Sequence, residues 1–551
     1  MSPAMETESA GTVVNVPAAE SVRREVSSKD VYVRQSSGLV RTVGPRTALI
    51  ANLVGMGIIV NFFWIVFASA GYPNANLITT VGIGVLINIG VGYVYWMLAS
   101  TMPRSGGDYI FVGRIFHPSL GFATNLVFTV VFITWAGYFA YYLAYYGLPM
   151  LFASFSLAGG GAAPLAWANT ILSSTTDQFA IGAVFLLLVV LVSLLPTKWI
   201  FRTAVGIFVV TAVIYVVMIG IFLTTSHATF VSNYNAVNGA GAYQTLAASG
   251  ASVDSITVSG TFLGIVYTML SFIGYANSSY YGGEIRGNPA RTQGLAIFGA
   301  PIIFAALIAL LYWSTYNILG RNFIVGASGA WFATANPTTL PSPLLLVAYL
   351  VSNPWLAGFL AFGLALTFFA FSLIYFIVPT RNLFAWSFDR ILPSFLTRVS
   401  RNGVPYVAVL VLAVASFLCL WLGVYYTIFN YLSYSNFGFW FAVGVVCLAG
   451  ALFPFLKKDL FNNAPRIVRA KVGPVPLITI VGGASWIAAW FVSYAASTAQ
   501  YVEPVGAYSY LYLLFLPIVF AVGLAIYFLS YAIQRSRGVP VNLISKELPP
   551  D

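Results

Sequence analysis

The sequence predicts an all-α integral membrane protein with 12 transmembrane helices, and three observations carry that prediction. Of 551 residues, 59% are hydrophobic and 7% are charged, whereas a soluble domain carries about 25% charged residues. The apolar residues fall into runs of spanning length. With one exception, the basic residues lie in the terminal tails and in alternate connections between those runs.

A hydrocarbon layer about 30 Å thick takes roughly 20 apolar residues per helical crossing, because lipid offers nothing to an unpaired backbone group. Runs that meet this length lie near 48–70, 76–100, 121–153, 178–196, 203–224, 259–284, 293–318, 343–379, 404–425, 428–453, 474–498 and 509–533. With a cytoplasmic N-terminus, 24 of the 25 Lys and Arg residues fall on the cytoplasmic side, counting the tail through Arg46, and Arg321 is the exception. Cytoplasmic loops carry such an excess, so both termini are expected inside the cell. Residues 1–44 are polar and read as a disordered cytoplasmic tail, 45–533 as the helical domain, and 534–551 as a short cytoplasmic C-terminal tail. The loops 154–177, 225–258 and 319–342 are rich in small and polar residues and read as caps over the helices.

The composition excludes several classes of function. The net charge of +11 is scattered in short groups, not gathered into the basic stripe that a nucleic acid requires, so no nucleic-acid partner is expected. Cys419 and Cys447 both sit in apolar runs and form no disulfide framework or metal cluster. No Asp, Glu, Lys, Arg or His lies centrally in a predicted run: His117 and His227 are in loops, and Asp108, Glu284 and Asp389 are near helix ends. Hydrolysis, haem redox chemistry and proton relays need such groups inside the membrane. The chain therefore reads as no enzyme, with no cofactor and no resident metal. A channel would show polar stripes or rings of like charge, and none is visible.

What remains for recognising a solute is backbone, hydroxyls and aromatic rings. Backbone becomes available where a helix is broken, and two runs are interrupted. The first is "ANLVGMGIIV", with Gly55 and Gly57 around Met56; the second is "SFIGYANSSYYGG", with Gly274 in its middle. Glycine lowers the cost of leaving helical dihedrals, and a broken helix presents N–H groups at one half and C=O groups at the other. A zwitterion fits that pair without a charged side chain. The first and sixth runs also head two five-helix sets of opposite direction, 1–5 and 6–10, followed by two further helices: an inverted-repeat layout broken at the midplane.

Four stretches together resemble the amino acid, polyamine and organocation transporter superfamily, over most of residues 44–533. They are Gly55 to Ile58; "MPRSGGDYIFVGRIFHPSLGF" at Met102 to Phe122; the second interruption; and "PTRNLFAWSFDRILPSFLTRVSRNGVP" at Pro379 to Pro405. The resemblance implies a secondary transporter, symporter or exchanger, that moves amino acids or related small amines across the cell membrane by alternating access. Its site would lie between helices 1, 3, 6 and 8. The implied substrate-binding residues are Asn52, Gly55, Met56, Gly57, Leu270, Ile273 and Gly274, with Phe272, Tyr275 and Tyr375 lining a side-chain pocket.

The chain also departs from relatives. Met56 stands where many have a small residue, and Ala276 where some carry a carboxylate. The neighbourhood of Thr211 holds no lysine. The coupling ion, Na+ or H+, is therefore left open, with Thr367 and Ser372 as sodium candidates because a hard cation favours oxygen. Glu284 reads as a solvated carboxylate at the inner face. The implied partners are the small-molecule substrate and membrane lipid; oligomeric state is left open. The competing expectation is a non-transporting sensor or structural subunit of a membrane complex that keeps the fold.

Overall fold

A computed structural model describes residues 41–253, 255–401, 403–426, 436–498 and 511–539. The N-terminal tail through residue 40 and the end of the C-terminal tail lie outside the described residues, as does the start of the 428–453 run.

In chain order the helices are α1 (Pro45–Met56), α2 (Asn61–Gly71), α3 (Leu77–Thr101), α4 (Asp108–Ile115), α5 (Pro118–Tyr142), α6 (Leu148–Phe155), α7 (Ala163–Ser173), α8 (Thr175–Ser193), α9 (Thr197–Thr224), α10 (His227–Asn238), α11 (Ala242–Val253) and α12 (Val258–Ser271). They continue with α13 (Pro289–Leu319), α14 (Arg321–Thr334), α15 (Pro343–Leu346), α16 (Pro354–Phe388), α17 (Tyr406–Tyr425), α18 (Asn436–Leu456), α19 (Lys458–Asn462), α20 (Leu477–Thr498) and α21 (Phe515–Ser536). Among the described residues the only sheet is a two-stranded hairpin, β1 (Lys471–Val472) with β2 (Val475–Pro476).

Eleven of these helical stretches are long and apolar enough to cross a membrane, counting α1 and α2 as one; the bent pair α11 and α12 brings the number to as many as 12. The all-α membrane fold expected from the runs is thus observed. The least exposed spans are α1–α2 and α16, whose most apolar windows are 89% and 83% buried, against 11% for α21. The former two are therefore the centre of the bundle and the latter its rim. Residues with small side chains let the central helices approach closely.

The connections read as caps contain helices α7, α10, α11 and α14, with Pro164 in the first turn of α7 and a Ser226 cap that accepts from Thr229 N–H at the start of α10. Two sequence expectations change. The run at 343–379 divides into short turns and α16, which begins at Pro354 behind an Asn353 cap and continues to Phe388. Arg381 and Asn382 therefore belong to a buried helix rather than to a loop. The run at 259–284 ends as a helix at Ser271 and continues as two 3-10 turns, Asn277–Ser279 and Gly282–Glu284.

Candidate functional site

The site grows from the two interruptions. α1 stops at Met56 because Gly57 turns to φ +64°, and α2 begins at Asn61, whose side chain donates back to the Gly57 and Ile58 carbonyls at 2.9 and 3.3 Å. Among the described residues the amides of Ile58, Ile59 and Val60 and the carbonyls of Val54, Gly55 and Met56 find no hydrogen-bond partner. In the second interruption Gly274 adopts φ +110°. Its amide, together with the carbonyls of Ser271 and Ile273, is likewise unpaired among the described residues.

The two breaks touch. A Cβ built on Gly274 would lie 2.6 Å from the carbonyl carbon and oxygen of Gly55. Only hydrogen fits there, and the positive φ independently favours glycine. The end of α1 and the segment after α12 thus meet at Gly55 and Gly274, and each broken helix end carries the partial charge of its dipole.

Next to the breaks lies a cleft walled by Trp64, Phe132, Trp135, Phe139, Phe371 and Tyr375, with Leu270, Ser271 and Ile273 from the end of α12. Its free volume is about 10 Å³, room for about one water, so the rings are closed on one another. Phe132 and Tyr375 stand 4.2 Å apart between centroids, and Phe139 and Phe371 4.9 Å. The polar hardware is sparse: Trp135 Nε1 is buried with no acceptor among the described residues, and Ser271 donates to its own helix at Tyr267 O.

The residues expected from sequence divide into three groups. Gly55 and Gly274 form the break contact, and the Phe371 ring is seated directly over Gly57. Leu270, Ile273 and Tyr375 line the cleft. The others face elsewhere or are already engaged. Asn52 donates to the carbonyls of Tyr275 and Ala296 and accepts from Ser278 N–H at 3.0 Å, so it braces the second break. Phe272 packs on Phe304 at 5.4 Å, and Tyr275 on Tyr95 at 6.0 Å. Met56 is fully buried without lining the cleft. Both sodium candidates make protein hydrogen bonds. Thr367 donates to Gly363 O in its own helix at 2.8 Å, and Ser372 points across to Ala136 O on α5.

Sequence reading missed the aromatic wall. Its signal was present: Phe132, Trp135 and Phe139 recur along α5 at three and four residues, which is one helical face.

At the basic end of the molecule the second break is tied down. Gly106 N–H donates to Tyr280 O at 3.0 Å, and Ser105 bridges to Tyr281. Thr42 and Val43 N–H both donate to Glu284 O at 3.0 Å. Glu284 is not solvated, contrary to expectation: α16 extends far enough to present Arg381, whose Nε and Nη2 donate to Oε1 and Oε2 at 2.7 and 3.0 Å. A second buried pair joins Arg114 to Asp389 at 3.0 Å, with the Tyr109 hydroxyl donating to the same oxygen at 2.6 Å.

The chain is thus a multi-pass membrane protein in which two broken helices meet beside a closed aromatic cleft. Residues 47–501 match the amino acid permease family model. The chain therefore belongs to the amino acid permease family, within the superfamily that the four motifs resemble. The match points to transport of amino acids or related compounds. A local similarity of 30% identity over 83 residues joins it to Uncharacterized protein 399 of Sulfolobus islandicus rod-shaped virus 1, covering 15% of this chain and 21% of that protein. The chain thus spans about a fifth of that viral protein's length.

Proposed function

We propose that the protein is a secondary transporter, exchanger or symporter, that carries amino acids with large apolar or aromatic side chains by alternating access around the two breaks. Contact between Gly55 and Gly274, with unpaired N–H groups on one side and unpaired C=O groups on the other, is the observation that supports it most. The substrate carboxylate takes the Ile58–Val60 amides and its ammonium group takes the Ser271 and Ile273 carbonyls. Each hydrogen bond to a charged group contributes about 1.5–3 kcal/mol, enough for selective binding without an ion pair.

The side chain enters the cleft by parting Trp64, Phe132, Trp135 and Phe371. Transport follows when the second break and its partners at the basic end separate, while the rest of residues 45–533 acts as scaffold. The basic end faces the cytoplasm, since the Lys and Arg excess belongs there.

The test is uptake and counterflow in liposomes containing the purified protein, with labelled amino acids and amines, and with and without Na+ and pH gradients. Saturable exchange of large apolar amino acids is expected. Specific binding without any uptake or exchange would favour a sensor that retains the fold.

A further inference from the structure

Beneath the cleft, at the start of α4, lies a carboxyl group that the bound zwitterion does not need. Asp108 is fully buried. Among the described residues it forms no ion pair, because Arg114 of its own helix is taken by Asp389 and Arg381 is taken by Glu284. The Tyr95 and Tyr280 hydroxyls face it, yet neither carboxyl oxygen completes a hydrogen bond of ordinary geometry, and the Tyr275 and Tyr280 hydroxyls are themselves buried without a partner of such geometry.

The surroundings are those of a lid. The Tyr280 ring lies on Gly107, the residue before Asp108, so closely that a Cβ there would be 2.6 Å from the ring. Tyr280 belongs to the broken segment, and its carbonyl is held by Gly106 N–H. From Tyr280 a ring stack runs through Phe128 (4.7 Å), Phe132 (4.3 Å) and Tyr375 (4.2 Å) to the cleft. The titratable groups acting on Asp108 are Tyr95 from α3, Tyr275 and Tyr280 from the broken segment and Cys447 from α18; α5 contributes none. None of them is a cation.

We propose that Asp108 is a proton-operated latch of the basic-end gate: the gate closes over the neutral acid, and opening it hydrates and ionises the carboxyl group. A carboxylate sealed in an apolar site without a counter-charge is strongly disfavoured, whereas its protonated form is not. Burial pushes the Asp108 carboxyl up to about 7, against the opposing pull of the two hydroxyls and the local backbone. The sign follows from that direction. The closed state binds the proton more tightly, so protonation favours closure fully below about pH 4, and this preference is lost as pH rises to about 7. Across that window the ratio of open to closed gate rises roughly tenfold per pH unit. Acidification on the basic side thereby holds the gate shut. The latch rests on the alternating-access reading for its purpose, but the motion itself requires no substrate.

Spin labels on Arg286→Cys, at the end of the broken segment, and Ser394→Cys, beyond α16, both exposed, in a Cys419→Ala, Cys447→Ala background, report its opening by pulsed electron paramagnetic resonance without substrate. Between pH 5 and 7.5 the native chain is expected to shift population from a short to a longer distance. Asp108→Asn should remain at the short distance throughout. If that variant does not fold, Asp108→Glu should move the midpoint of the shift. A native distance that ignores pH, a shift that persists in Asp108→Asn, or a midpoint unmoved in Asp108→Glu overturns the latch. Counterflow assayed on the native chain separates this outcome from the transport reading: exchange that persists while the distance ignores pH overturns the latch alone, whereas Asp108→Asn, held closed, should exchange more slowly than the native chain.

Discussion

The two breaks solve different problems with the same residue type. The first spans only residues 57–60 before α2 resumes at Asn61. The second holds residues 272–288 out of α-helix and is gripped by Asn52, Gly106, Arg381 and the backbone at Thr42 and Val43. A short break that immediately re-forms its helix gives a fixed row of donors. A long one is held mostly by polar contacts near the basic end. The proposed function accordingly assigns recognition to the first break and gating to the second.

The severest way to break this contrast is Gly274→Val. A β-branched side chain at positive φ is strained by about 1–3 kcal/mol, and its Cβ strikes Gly55 backbone rather than a flexible atom. Substrate affinity is expected to fall by more than about 100-fold, checked by counterflow, with a lowered unfolding temperature. At Gly55 the added Cβ meets the side-chain amide of Asn277, which can rotate away. Gly55→Ala should therefore retain at least tenfold more affinity than Gly274→Val; equal losses would erase the distinction.

Arg381→Ala comes next, because it leaves Glu284 buried and unpaired. Breaking such a pair costs about 3–5 kcal/mol, so thermal unfolding should move down markedly, whereas Arg381→Met combined with Glu284→Leu should recover much of the loss. A smaller effect is expected in the cleft. Trp135→Phe keeps an aromatic wall and removes the unmatched Nε1 donor, so binding of aromatic amino acids should change by less than about tenfold while the ranking of side chains shifts. Smallest of all, Ser372→Ala should alter transport and its Na+ dependence by less than about twofold, since its hydroxyl faces α5.

Much of the fold was legible because a membrane imposes one length scale and one polarity rule, so the runs and basic segments mark the helices directly. The breaks were legible through Gly55, Gly57 and Gly274. Other features required the third dimension. Asn52 reads as a ligand in one dimension and is a brace in three, because its partners at Tyr275, Ser278 and Ala296 lie more than 200 residues away. Glu284 and Arg381 are separated by 97 positions, and nothing local reveals their pairing. Asp108, a residue near a helix end in the sequence, gains its significance only when the Tyr280 lid covers it.

The most direct test of the central claim is competition in counterflow. A labelled large apolar amino acid is challenged with its decarboxylated amine and its deaminated acid. If the carboxylate sits on the Ile58–Val60 amides and the ammonium group on the Ser271 and Ile273 carbonyls, each analogue loses one set of charge-assisted bonds and should compete at least about 100-fold more weakly than the parent. An amine or acid that competes as well as the intact zwitterion would contradict the two-break site.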